Sequence, residues 1–165
     1  MEKAGFMVIH CIHEVWLFIM CTILEDFWRW SGITPDMYED QGFTILAPKC
    51  EFDYPGFDNL LNYAKKIFVD ASSSRESLYD ALTIMALDNE NEEILDFVEC
   101  TCTDTIVNLL VDIGVGHLQH EARWQIAELL YRRKPYGYMQ KLQILSQDSH
   151  PYVRKRAANI IGYLQ

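Results

Sequence analysis

From Phe57 to Leu164 apolar residues recur three and four apart in run after run, separated by short turns rich in Ser, Gly, Asp and Pro. That spacing puts side chains on one face of an α-helix, whereas a half-buried strand would alternate them. Phe57, Leu60, Leu61, Ala64 and Phe68 form the first stripe, and Ser73 and Glu76 stand at capping-box spacing ahead of Leu78, Ala81, Leu82, Met85 and Ala86. Ile94, Phe97 and Val98 mark the next helix. Ile106, Leu109, Leu110 and Ile113 mark another, closed by Gly114 and Gly116. Ala122, Ile126, Leu129 and Leu130 follow, stopped by Pro135, then Met139, Leu142 and Leu145, and finally Val153, Ala157, Ile160, Ile161 and Leu164. Seven amphipathic helices in succession leave no length for a sheet, so the expected class is all-α.

The first part of the chain is punctuated differently. Glu14–Trp30 reads as a helix apolar on most sides, stopped by Ser31-Gly32, and Thr34-Pro35 offers an N-cap and a first-turn proline for a short helix that Gly42 ends. Residues 43–56 carry Pro48 and Pro55 and read as an irregular loop with a small strand at Phe43–Leu46. Whether Phe6–Ile12 is helix or strand, periodicity leaves open. The clean apolar stretch Val15–Leu24 is shorter than the roughly 20 residues a bilayer span needs. It also lacks the basic start and small-residue cleavage site of a signal peptide. The expectation is one domain over 1–165: an N-terminal cap at 1–42, a loop at 43–56 and helix pairs at 57–165.

Charge is distributed unevenly. The net charge is −10, but residues 1–115 hold 21 acids and 6 bases, and residues 116–165 hold 3 acids and 8 bases. Asp88, Glu90, Glu92, Glu93, Asp96, Glu99 and Asp104 follow one another with no base between them. Such a balance disfavours nucleic acid and anionic lipid as partners and favours a basic protein surface.

Two nine-residue segments superpose at an offset of 31: Ala122–Leu130 and Val153–Ile161. Ile94–Val98 matches the same frame less well. A period near 30 residues in a helical chain implies stacked helix pairs, each burying its stripe against the next. The segment Asp148-Ser149-His150-Pro151-Tyr152-Val153-Arg154-Lys155-Arg156-Ala157-Ala158-Asn159-Ile160-Ile161-Gly162 resembles the second helix of a HEAT repeat. The resemblance implies an α-solenoid of antiparallel helix pairs with a divergent N-terminal cap. It also implies an arginine at Arg123 and Arg154 that reaches an Asp in the adjoining turn, and close helix packing at Ala157 and Ala158.

Chemistry-bearing motifs are few. His10-Cys11-Ile12-His13-Glu14 and His117-Leu118-Gln119-His120-Glu121 have ligand-type residues at helical spacing, but neither is HExxH and neither brings the third or fourth ligand that zinc needs. They read as core or helix-end histidines. Five cysteines without a CxxC fit reduced thiols better than a disulfide framework, and Cys100 and Cys102 stand among carboxylates that disfavour a thiolate. P-loop, GxGxxG and GxSxG sequences are missing. The reading is a protein that is not an enzyme and uses no metal or cofactor. Arg132-Arg133-Lys134 and Lys155-Arg156 offer a small basic patch for phosphates, against which stand compensation of the helix C-terminal dipole for the first cluster and solvated surface for the second.

Small size, acidity and a helical stack resemble the immunity proteins of bacterial toxin systems, including those of contact-dependent growth inhibition. That resemblance implies a cytoplasmic protein that binds a basic nuclease toxin, an RNase or tRNase, and covers its active site with an acidic surface. The residues expected at the partner are Glu90, Glu92, Glu93, Asp96 and Glu99, with Glu51, Asp53 and Tyr54 of the loop. The alternative is a HEAT-type adaptor that assembles proteins without inhibiting anything. A HEAT-like DNA glycosylase or bilin lyase is a third possibility, and for the glycosylase the acidity of residues 1–115 is the wrong sign.

Overall fold

The computed structural model describes residues 23–35, 37 and 50–164. The chain divides into two compact units, Met1–Leu60 and Leu61–Gln165. The division falls within helix Phe57–Val69. Every regular element among the described residues is helical, so the protein is all-α. The expected strand at Phe43–Leu46, the His10–Glu14 cluster, Cys11, Cys21 and the first part of the Glu14–Trp30 helix lie outside the described residues.

In the first unit residues 23–31 are helical. The helix stops where Gly32 turns to φ 75°, a left-handed conformation that a residue without Cβ adopts at little cost. The Ser31 hydroxyl and the Gly32 N–H both donate to the Trp28 carbonyl, at 2.9 and 3.0 Å. Thr34 begins the next turn as expected, its Oγ1 accepting from Met37 N. A 3₁₀ turn, Glu51–Asp53, precedes Tyr54, whose ring lies 5.4 Å from Phe27 and 5.2 Å from Trp30.

The helices from Phe57 onward are α1 (Phe57–Val69), α2 (Arg75–Leu87), α3 (Glu93–Thr101), α4 (Asp104–Gly114), α5 (His120–Arg133), α6 (Tyr138–Leu145) and α7 (Pro151–Leu164). Helix α5 is the axis: α2, α3, α4, α6 and α7 all pack on it. Its residues Ala122–Ala127, Leu129 and Leu130 are buried, including Arg123 and Gln125. The Gln125 amide donates to the Met85 carbonyl at 2.7 Å, satisfying one of the acceptors that the end of α2 leaves unpaired. Helices α5 and α7 run parallel. Arg123 meets Asp148, Trp124 meets Tyr152 and Glu128 meets Arg156, so contacts advance along both helices in the same sense.

Several details differ from the periodicity. The N-cap of α2 is Ser74, whose Oγ accepts from Ser77 N at 3.1 Å; Ser73 instead donates to the Ile67 carbonyl and closes α1. Helix α4 buries Val107 and Val111 and exposes Leu109, and Phe97 and Met139 are only half-buried. Ala157 is buried but Ala158 is exposed, because one step along a helix rotates a side chain by about 100° away from the contact. Gly162 has open space where a Cβ would go.

Gly114 does serve packing. A Cβ there would lie 2.4 Å from Ile126 Cγ1, and Ile126 is fully buried. Gly114→Ala should gain up to about 1 kcal/mol of helix propensity and lose about 1–3 kcal/mol to overpacking, for a net loss of stability. Denaturant unfolding checks this, and a stabilised variant would mean that α4 and α5 do not approach so closely.

Candidate functional site

The acidic run folds into one partly compensated surface on α3 and its flanks. At its root is Asp88, fully buried, whose Oδ2 accepts from Ile94 N at 2.7 Å and so caps the start of α3. Burial pushes its carboxyl up to about 6, while the Ile94 N–H and the Lys65 ammonium favour the charged form. The loop then returns through Glu92, held at φ 56° with its N–H donating to the Asp88 carbonyl. That left-handed conformation is uncommon for a non-glycine residue, and the Glu92 carboxylate reaches Arg132 of α5.

Arg132 of α5 collects that carboxylate and two more. Its Nη2 donates to Glu92 at 3.0 Å, and its Nη1 donates to Asp96 at 2.7 Å and Glu99 at 3.0 Å. Partial burial of the guanidinium opposes its charge, but the Asp96 and Glu99 carboxylates outweigh that and raise its pKa. Arg133 Nη1 donates to the Glu99 and Cys102 carbonyls at 2.7 and 3.0 Å, capping the C-terminus of α3, while Nη2 pairs with Asp104 at 2.6 Å. Lys65 of α1 pairs with Glu93 and lies over the Phe97 ring. Arg132 and Arg133 stand in the last turn of their own helix, as the sequence suggested, and are in addition the counter-ions and the cap of α3.

Five carboxylates thus face three bases. The outermost are Asp104, Asp96 and Glu93, whose side chains are 89%, 66% and 53% exposed, and Glu90 is exposed beside them. Of the expected site residues, Glu90, Glu92, Glu93, Asp96 and Glu99 come together here. Glu51, Asp53 and Tyr54 belong to the other unit. There Asp53 is exposed, but Glu51 is buried and the Tyr54 ring is occupied with Phe27 and Trp30.

The histidines form a separate, structural cluster. His117 is buried, stacked 4.2 Å from Tyr79 and 3.4 Å from the Thr83 hydroxyl, and its Nδ1 accepts from Gln119 N. Burial lowers its pKa to about 4. His120 points elsewhere, its ring 3.6 Å from that of His150, and burial, then His150 and Arg123, lower its pKa to about 4. Among the described residues no group of three or more His, Cys, Asp or Glu converges as a metal site. The Cys102 thiol is buried and pushed up to about 11, mainly by that burial, which disfavours its thiolate; Cys100 is exposed.

No known protein family, curated protein or solved structure matches the chain. Among the described residues no helix is long and apolar enough to cross a membrane.

Removing Arg132 leaves three carboxylates facing one another. Arg132→Ala should cost about 1 kcal/mol, since two of the partners are a third or more exposed and screened, and the loss should shrink in about 0.5 M salt. Reversing Glu92, Asp96 and Glu99 to Lys should likewise destabilise the fold. Chemical unfolding at two salt concentrations reads both.

His120 gives a pH signature. A histidine whose folded pKa is depressed contributes stability that is complete above the ordinary value near 6.5 and is lost as pH falls toward about 4. His120→Phe keeps the stacking and removes the titration. Its denaturation midpoint should fall less than the native protein's between those pH values; parallel curves would contradict the buried, neutral imidazole.

Proposed function

We propose that the protein is an immunity protein that binds a basic nuclease toxin and blocks it with the acidic surface of α3. The observation that carries this is the row of carboxylates fixed in place by Arg132, Arg133 and Lys65. Fixed side chains lose little entropy when a partner docks. Asp96, Asp104, Glu93 and Glu90 point their charge outward, and a polyanion-binding active site is lined with the opposite sign. On this reading the protein works in the cytoplasm, where the toxin's RNA substrate is.

The helices from α4 onward are best read as a HEAT-like stack. Two features support it: the parallel course of α5 and α7, and an arginine bonding pattern that recurs at 31 residues. Arg123 Nη1 donates to the His117 and Leu118 carbonyls, and Arg154 Nη1 donates to those of Asp148 and Ser149, all at 2.7 Å.

The test is co-expression with the toxin domain encoded immediately upstream in the native genome. The chain should relieve growth arrest and form a complex whose association slows as salt rises. Asp96→Asn with Asp104→Asn, which leaves Glu92 and Glu99 on Arg132, should weaken the complex while the protein stays folded. Binding without relief of toxicity would favour the adaptor reading instead.

A further inference from the structure

From Leu61 onward every buried or half-buried carboxylate but one has a polar partner among the described residues. Asp88 accepts from Ile94 N, Glu92 and Glu99 from Arg132, and Asp148 from Arg123, while Glu128 pairs with Arg156 and Glu121 lies beside His120. The exception is Asp80 of α2. It is half-buried, and among the described residues its carboxylate meets neither a base nor an N–H or O–H donor. Burial, then the Glu76 carboxylate one turn before it, push its pKa up to about 6.

Beside it is a second polar group in the same condition. Tyr63 of α1 is 5% exposed, and its hydroxyl is buried without a hydrogen-bond partner. Burial raises the pKa of the phenol and the Asp80 charge raises it further, so the two groups are near enough to interact but are not bonded to each other. An N–H group seated between them would satisfy both, donating to the carboxylate and to the phenol oxygen. The charge selects a cation. Glu76 stays ionised, accepting from its own N–H and from the Ser74 hydroxyl, so it adds negative field without needing to touch the ligand. An ammonium suits the pair better than a guanidinium. Its three rotatable donors reach divergent acceptors, whereas the guanidinium fork lies in one plane.

The position of the pair indicates what carries the ammonium. Asp80 is half-buried and Glu76 exposed, so the site opens at the surface. Eight residues on, about 12 Å along the helix axis, Asp88 begins the acidic surface of α3. Helix α1 flanks both places, with Tyr63 near Asp80 and Lys65 on Glu93. A protein footprint of ordinary size, roughly 800 Å² a side, spans them.

We propose that Asp80 and Tyr63 form a lysine-binding site, which takes the side-chain ammonium of the basic protein that docks on α3. The identity of that protein rests on the reading given under the proposed function; the chemistry of the site does not.

The experiment follows the side-chain carboxyl signals of Asp80, Asp96 and Asp104 by ¹³C NMR as pH is varied, on the intact protein at low ionic strength, with and without hexalysine peptide. Hexalysine should lower the Asp80 midpoint by about one pH unit, because a cation beside a carboxylate favours its charged form. Tyr63→Phe keeps the ring, removes only an unpaired buried hydroxyl and so should stay folded. It should reduce the displacement at Asp80 and leave those at Asp96 and Asp104 unchanged. An Asp80 midpoint that the peptide does not move overturns the proposal, as does an equal displacement in the Tyr63→Phe variant. Hexaarginine moving Asp80 as far as hexalysine overturns the choice of an ammonium. The two readings fail separately. A response at Asp96 and Asp104 alone removes the lysine site and leaves the acidic surface, whereas an Asp80 response without any complex with the upstream toxin domain removes the toxin and leaves the site.

Discussion

Helix α5 is buried along almost its whole length and is tied down at both ends by its own arginines, and the second unit is organised around that arrangement. Near its start Arg123 binds the preceding loop and the Asp148 that opens α7. Near its end Arg132 and Arg133 hold the carboxylates and the last carbonyls of α3. A helix with so little polar surface would be indifferent to rotation about its axis if packing were its only constraint. Charged, directional bonds at each end fix that rotation. Gln125, fully buried and bonded to Met85 O, fixes it again in the middle.

These bonds are valuable for what their removal would leave behind. Arg123 and Asp148 are both largely buried, their side chains 11% and 8% exposed. Such a pair contributes little net stability against an apolar replacement, but removing one member strands the other without water or counter-charge. The pair therefore specifies the register of α5 against α7 more than it strengthens the core. Gly114 acts in the same way through shape, because the Ile126 side chain occupies the space a Cβ would take.

The all-helical class, the order of the helices and the equivalence of Arg123 with Arg154 were legible because each depends on local spacing. Phase was less legible. Helix α4, Asp-Thr-Ile-Val-Asn-Leu-Leu-Val-Asp-Ile-Gly, has apolar residues around most of its circumference, so the stripe read from periodicity placed Leu109 inward, whereas Val107 and Val111 turn inward and Leu109 outward. The acidic run was legible as composition but not as chemistry. Its counter-ions lie 29–40 residues further on, at Arg132 and Arg133, or 28 residues back, at Lys65. No local rule pairs residues across such distances. One signal was present: a basic doublet at a helix end, in a chain whose only long acid run has no base of its own.

The same pairing changes how the net charge should be understood. Counted along the sequence, the last fifty residues are basic and the rest strongly acidic, which suggests a molecule with two opposed faces. In the fold Arg132 and Arg133 have crossed to the acidic side, so the field over α3 is weaker than seven carboxylates in sequence would give. What remains is a better-defined surface. Glu92, Glu93, Asp96, Glu99 and Asp104 are each held by a base, and the excess of five carboxylates over three bases leaves the surface negative. On the proposed reading that arrangement separates two tasks: the net negative charge of the face steers a basic partner at a distance, and the Arg132 cluster holds the surface to which it docks. A free acidic face would steer as well but would have to be ordered on contact.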